Sequence, residues 1–145
     1  MTAFLPRGVR AFPDARVRPD GDAPPMHAPL RVLLADVEGT ARYALAVLIS
    51  GLEQVALVGE VGERADLAEA LRRTGAEVLI IDDRLLRAGD HVLAGLGPLR
   101  TTVRVLVLGV DDDPAFAARA YRMGAEAWIA KDRADETLPA LLVRR

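Results

Sequence analysis

From Leu30 onward, five short apolar runs alternate with amphipathic stretches, and this alternation limits the chain to few architectures. The runs are LRVLLAD (30–36), VALVGEV (55–61), EVLIID (77–82), VRVLVLG (103–109) and AEAWIAK (125–131). They are mostly β-branched or Leu and short enough for strands. The stretches between them, at 39–51, 64–74, 90–99, 113–123 and 135–143, have helical spacing. Gly75 and Gly124 stand where helix-ending glycines belong. Asp113 followed by Pro114 suits an N-cap and first helical position. Strands alternating with helices imply a parallel sheet covered on both faces and joined by right-handed crossovers. The expected fold class is therefore α/β: a three-layer α/β/α, flavodoxin-like domain with a five-stranded parallel sheet in order 2-1-3-4-5.

Residues 1–29 read differently. They hold six of the nine prolines and show no sustained period, so a flexible tail is expected there and a single domain over 30–145. The tail lacks the apolar centre of a secretory signal, and Met26 is an alternative start to Met1. No apolar run approaches the roughly 20 residues of a membrane span.

Composition removes several chemistries. The absence of cysteine excludes disulfides, thiolate metal sites and cysteine nucleophiles. One serine (Ser50) and two histidines (His27, His91) leave no recognisable triad and too few ligands for a histidine zinc site. Residues 30–145 carry 15 basic and 18 acidic residues, a net charge of −3 that argues against direct nucleic-acid binding. Of the 19 basic residues, 18 are arginine; the single lysine is Lys131. Arginine and lysine are not interchangeable, so the exception points to a specific task.

In a sheet of this kind, ligands collect beyond the carboxyl ends of the strands. Those ends are Asp36, Asp82, Gly109 and Lys131, spaced at multiples of one βα unit. Two carboxylates and the only lysine should therefore converge on one rim. Hard carboxylate oxygens suit magnesium, and a compact ammonium suits a phosphoryl group. An aspartate between them can act as a nucleophile towards phosphorus. The alternative for the same residues is a solvated ion pair.

These residues, with LVGEVGERADLAEAL (57–71) and RMGAEAWIAKD (122–132), resemble the response-regulator receiver domain. The resemblance is to the CheY-like fold and especially to the receivers of LuxR-type regulators. It covers about four fifths of the chain. It implies a cytoplasmic, non-enzymatic signalling protein of a two-component phosphorelay, standing alone and acting by protein–protein contact. Asp82 is then the phosphoacceptor and Lys131 the phosphoryl-binding lysine. Asp36, Asp82 and the backbone carbonyl of Arg84 would hold Mg2+. Trp128 matches the aromatic that turns inward on activation. Implied partners are a histidine kinase or phosphotransfer protein and a downstream effector, with a homodimer through the face of the fourth and fifth helices.

Two positions depart from the pattern. Val37 stands where the second metal-binding acid belongs, with Glu38 beside it as the only substitute. Gly109 stands where a switch hydroxyl belongs. These departures favour a phosphorylation-independent pseudo-receiver, or a receiver severed from a transcriptional regulator. A small flavodoxin-like enzyme is a further alternative, although Thr40 is the only hydroxyl in the loop after the first run. Around the site, Asp83 is expected to be a solvated loop acid, Asp111–Asp113 to cap a helix or form a recognition patch, and His91 to lie on a helix surface. Pro139 should cost the last helix some backbone hydrogen bonding.

Overall fold

The computed structural model describes residues 9–11, 28–37, 39–87, 91–110 and 114–143. Six strands form one sheet: β1 (Val9–Ala11), β2 (Leu30–Ala35), β3 (Val55–Val61), β4 (Val78–Asp82), β5 (Arg104–Gly109) and β6 (Ala127–Ala130). Their spatial order is β1-β3-β2-β4-β5-β6. The last five pair in parallel, in the order expected from the sequence. Every strand from β2 to β6 overlaps the apolar run that announced it.

The helices are α1 (Gly39–Ser50), α2 (Leu67–Thr74), α3 (Asp83–Leu86), α4 (His91–Ala94), α5 (Leu99–Thr102), α6 (Pro114–Arg122) and α7 (Ala134–Leu141). Strand side chains alternate between two cores. Leu33, Leu79, Ile81, Val105 and Val107 face Leu67 and Leu71 of α2, Leu85 and Leu86 of α3, and Ala120 of α6. Val32, Leu34, Val78, Ile80, Leu106 and Leu108 face Leu45 and Ile49 of α1 and Leu138 of α7. A period of two on each strand thus produces the three layers. Gly75 ends α2 in a left-handed conformation at φ 64°, its N–H donating to the Leu71 carbonyl, and Gly124 follows α6 at φ 104°.

Three elements differ from the sequence expectation. The helix expected at 90–99 breaks into α4 and α5, because Gly97 adopts φ 59° and Pro98 opens a fresh turn. The loop expected after Asp82 contains the single turn α3, whose N-cap is Asp82 itself. In the segment read as a tail, Val9–Ala11 pair antiparallel with Gly59–Val61 and extend the sheet at its β3 edge. Three residues are too few to show a strand period. An open edge with unpaired backbone groups attracts such a segment. The 3-10 turns Arg64–Asp66 and Lys131–Arg133 lead into α2 and α7. Pro139 does lie inside α7. Glu38, Asp111, Asp112, Asp113 and the side chain of His91 lie outside the described residues.

Candidate acidic site at the carboxyl edge of the sheet

Parallel pairing of β2, β4, β5 and β6 places their carboxyl ends on one rim. Asp36 follows β2, Asp82 closes β4, Gly109 closes β5 and Lys131 follows β6. The expected convergence is present. The Lys131 ammonium donates to Asp36 Oδ2 at 3.1 Å and also to Asp82 Oδ2. All three side chains are largely withdrawn from solvent: Asp36 is 0 % exposed, Asp82 2 % and Lys131 15 %.

A second cation shares the same carboxylates. The Arg84 guanidinium reaches Asp82 Oδ2 at 3.1 Å through Nη2 and Asp82 Oδ1 at 3.2 Å through Nε. The same Nη2 lies 3.4 Å from Asp36 Oδ1. Local structure puts it there. Asp82 Oδ1 accepts the backbone N–H of Arg84 at 2.6 Å, which caps α3 and turns the chain back over the strand end. The resemblance assigns Arg84 a backbone-carbonyl contact to a metal; in the structure its side chain also enters the site. The missed signal was a basic residue two places after a strand-end acid.

Among the described residues the site holds two carboxylates and two cations, and all four carboxylate oxygens meet nitrogen donors. Burial pushes the Asp82 carboxyl up. The hydrogen bonds from Arg84 and Lys131 outweigh that and hold it down at about 2. Breaking such an arrangement by removing one partner costs far more than forming it gains, because it strands a buried charge.

Among the described residues the donor set does not fit magnesium. The ion wants near-octahedral oxygen ligands. Here the position of the second acid is Val37, apolar and 45 % exposed. Among the described residues no group of three acidic or histidine side chains could hold a metal. Glu38, the remaining substitute, lies outside the described residues. Two positive side chains already stand on the carboxylates that a metal would use.

The surroundings add further pairing. Arg42 donates to the Asp36 carbonyl at 3.2 Å and lies 3.8 Å from the buried carboxylate of Glu60. Asp83, expected to be solvated, is buried instead and accepts from Arg87 Nε at 3.1 Å. The Arg87 guanidinium in turn lies 5.6 Å from the centre of the Phe116 ring.

Gly109 and Trp128 form a packed pair. A Cβ placed on Gly109 would stand 2.5 Å from Cζ2 of Trp128, 2.9 Å from Cε2 and 3.0 Å from Nε1. The indole thus fills the space that a switch side chain would use, and it packs against the apolar cluster containing Val105 and Val107. Its buried Nε1 has no hydrogen-bond acceptor. The sequence reading recorded the lost hydroxyl at Gly109 but missed this complementarity. A glycine opposite the chain's single tryptophan was the available signal.

Comparisons with known proteins bear on the fold. No protein-family model matches the chain, and no curated protein matches it. Solved structures do. The chain is similar to the signal receiver domain of the response regulator NarL from Mycobacterium tuberculosis, with a TM-score of 0.70 and 24% identity, covering 79% of this chain and 94% of that one. It is similar to a LuxR-family two-component response regulator from Aurantimonas sp. (TM-score 0.69, 22% identity, 79% and 85% covered). A third match is the isolated receiver domain of RcsB from Salmonella enterica serovar Typhimurium, whose structure was determined with the phosphomimetic BeF3− (TM-score 0.67, 22% identity, 77% and 84% covered). Against one longer RcsB structure the match spans 58% of that chain. The chain has the response-regulator receiver fold. Among the described residues no helix is long and apolar enough to cross a membrane.

Proposed function

We propose that this chain, built on the receiver fold, is a signalling module that works by protein–protein contact without phosphorylation of Asp82. The observation that carries this reading is the bridging of Asp36 and Asp82 by both Arg84 and Lys131. A receiver that accepts a phosphoryl group needs an acidic pocket open to a divalent cation. Here a guanidinium takes up the negative charge instead, and Val37 supplies no ligand oxygen. A ligand shifts a conformational equilibrium only through contacts that differ between the two states. Gly109 has no hydroxyl to make such a contact, and the Trp128 ring already lies over it. The proposed output partner is an effector protein, and the module acts as a binding surface rather than as an enzyme. A cytoplasmic location and an absence of direct nucleic-acid contact belong to the same proposal.

The second reading keeps Asp82 as phosphoacceptor, served by a histidine kinase or phosphotransfer protein. Asp82 and Lys131, at the positions the resemblance assigns to them, favour it. The two readings separate in one experiment. The chain is incubated with magnesium and acetyl phosphate, or with magnesium and beryllofluoride, while intact mass and Trp128 fluorescence are followed. An unchanged mass and an unchanged spectrum are expected. A mass gain of one phosphoryl group on Asp82 would establish the second reading. The double variant Val37→Asp/Arg84→Ala restores an acid and removes the competing cation. It should acquire a magnesium-dependent fluorescence change that the parent lacks.

A further inference from the structure

We infer that a cationic recess between α4, α5 and α6, separate from the acidic rim, is a binding site for a compact phosphate-type oxyanion. Its walls are Ala94, Arg100, Arg119, Arg122 and Met123, around a cavity of about 270 Å3. Three arginines meet there, and among the described residues no carboxylate lines the space. This is unusual for this molecule, whose formal net charge is −2. Several other arginines stand on acids: Arg72 and Arg73 on Glu69, Arg87 on Asp83, Arg104 on Glu126 and Arg133 on Glu136.

Two of the three guanidiniums are held in place by backbone oxygens. Arg100 Nη2 donates to the Met123 carbonyl at 2.8 Å. The same group lies against Gly124, where a Cβ would stand 3.1 Å from Nη2 and 3.3 Å from Nε. Arg119 Nη2 donates to the Leu86 carbonyl at 3.2 Å. A carbonyl orients a guanidinium without neutralising it, so both cations keep their charge and part of their donor fork. Arg122 is exposed on the last turn of α6.

Three like charges around one recess repel each other, and an anion relieves that repulsion. Arginine forks bind phosphate oxygens in pairs, and prior fixing of the side chains lowers the entropy lost on binding. The small volume and the apolar floor of Ala94 and Met123 suit one tetrahedral group rather than an extended acidic segment. The phosphate can come from a free small anion or from a phosphorylated side chain of another protein. This inference does not depend on how Asp82 is used.

The test is a titration of the 15N-labelled full chain at low salt, followed by NMR. The probes are inorganic phosphate, a phosphoserine peptide with neutral flanks, and the same peptide unphosphorylated. Phosphate should move the Nε–H signals of the recess arginines and the Gly124 amide saturably, with Kd near or below about 1 mM. Arg122→Gln, at an exposed position, should weaken binding roughly tenfold. Arg119→Gln added to it should abolish saturation. Tighter binding of the phosphopeptide than of phosphate assigns the source to a phosphorylated protein, and equal or weaker binding assigns it to a free anion. Shifts that fail to saturate by about 10 mM, or a Kd unchanged in the double variant, would overturn the inference.

Discussion

Adding one methyl group at Gly109 tests whether the Trp128 ring belongs where the structure puts it. In Gly109→Ala the new Cβ would stand 2.5 Å from Cζ2 and 2.9 Å from Cε2. Carbon atoms settle at about 3.5–4.0 Å, so the ring must retreat by about 1 Å or swing towards solvent. The ring has little room to retreat, because it packs against the cluster of Val105 and Val107. Overpacking of this kind costs about 1–3 kcal/mol. At roughly 4 °C per kcal/mol for a domain of this size, the thermal midpoint should fall by about 4–12 °C. Urea denaturation gives the free energy, and native-state emission reports the ring. A ring that swings out shifts its emission to longer wavelength and becomes accessible to acrylamide. Combining Gly109→Ala with Trp128→Phe removes most of the clash, so the double variant should be more stable than the sum of the single effects by about 1 kcal/mol or more. Unchanged stability and emission in Gly109→Ala would refute the packing argument, and with it the account of why glycine stands at this position.

Other expectations concern the charges and the sheet edge. Asp82 is held at about 2 against an ordinary value of 3.8. A lowered carboxyl stabilises the fold fully above pH 4 and loses that contribution, on the order of 2 kcal/mol, as pH falls from about 4 to about 2. Urea melts across that window should show the slope, and Asp82→Asn should flatten it. Lys131→Met removes one of the cations on two buried carboxylates and should cost about 3 kcal/mol at pH 7. The deficit in urea should shrink as acid protonates the stranded carboxyl, and a constant deficit across pH would contradict this. A chain begun at Met26 loses β1. It should fold with a slightly lower midpoint and faster amide exchange within Gly59–Val61, and unchanged exchange there would show that β1 does not protect this edge.

The layered α/β architecture, the order of five strands and the meeting of Asp36, Asp82 and Lys131 were legible in the sequence. Strand period and strand ends are local properties, and parallel topology converts them into a shared rim without any detail of packing. The added strand β1 and the division of the 90–99 helix were not legible. Val9–Ala11 is too short to carry a pattern, and Gly97 and Pro98 act on a helix already made marginal by its length. The chemistry of the site depended on tertiary structure. Whether Arg84 offers a carbonyl or a guanidinium depends on how the Asp82 carboxylate caps α3. Whether Gly109 is a loss or a fit depends on where an indole from the neighbouring strand comes to rest. Arg84 also reaches Asp36, 48 residues away in the chain, and Trp128 comes to Gly109 from the next strand, so tertiary placement decides both outcomes.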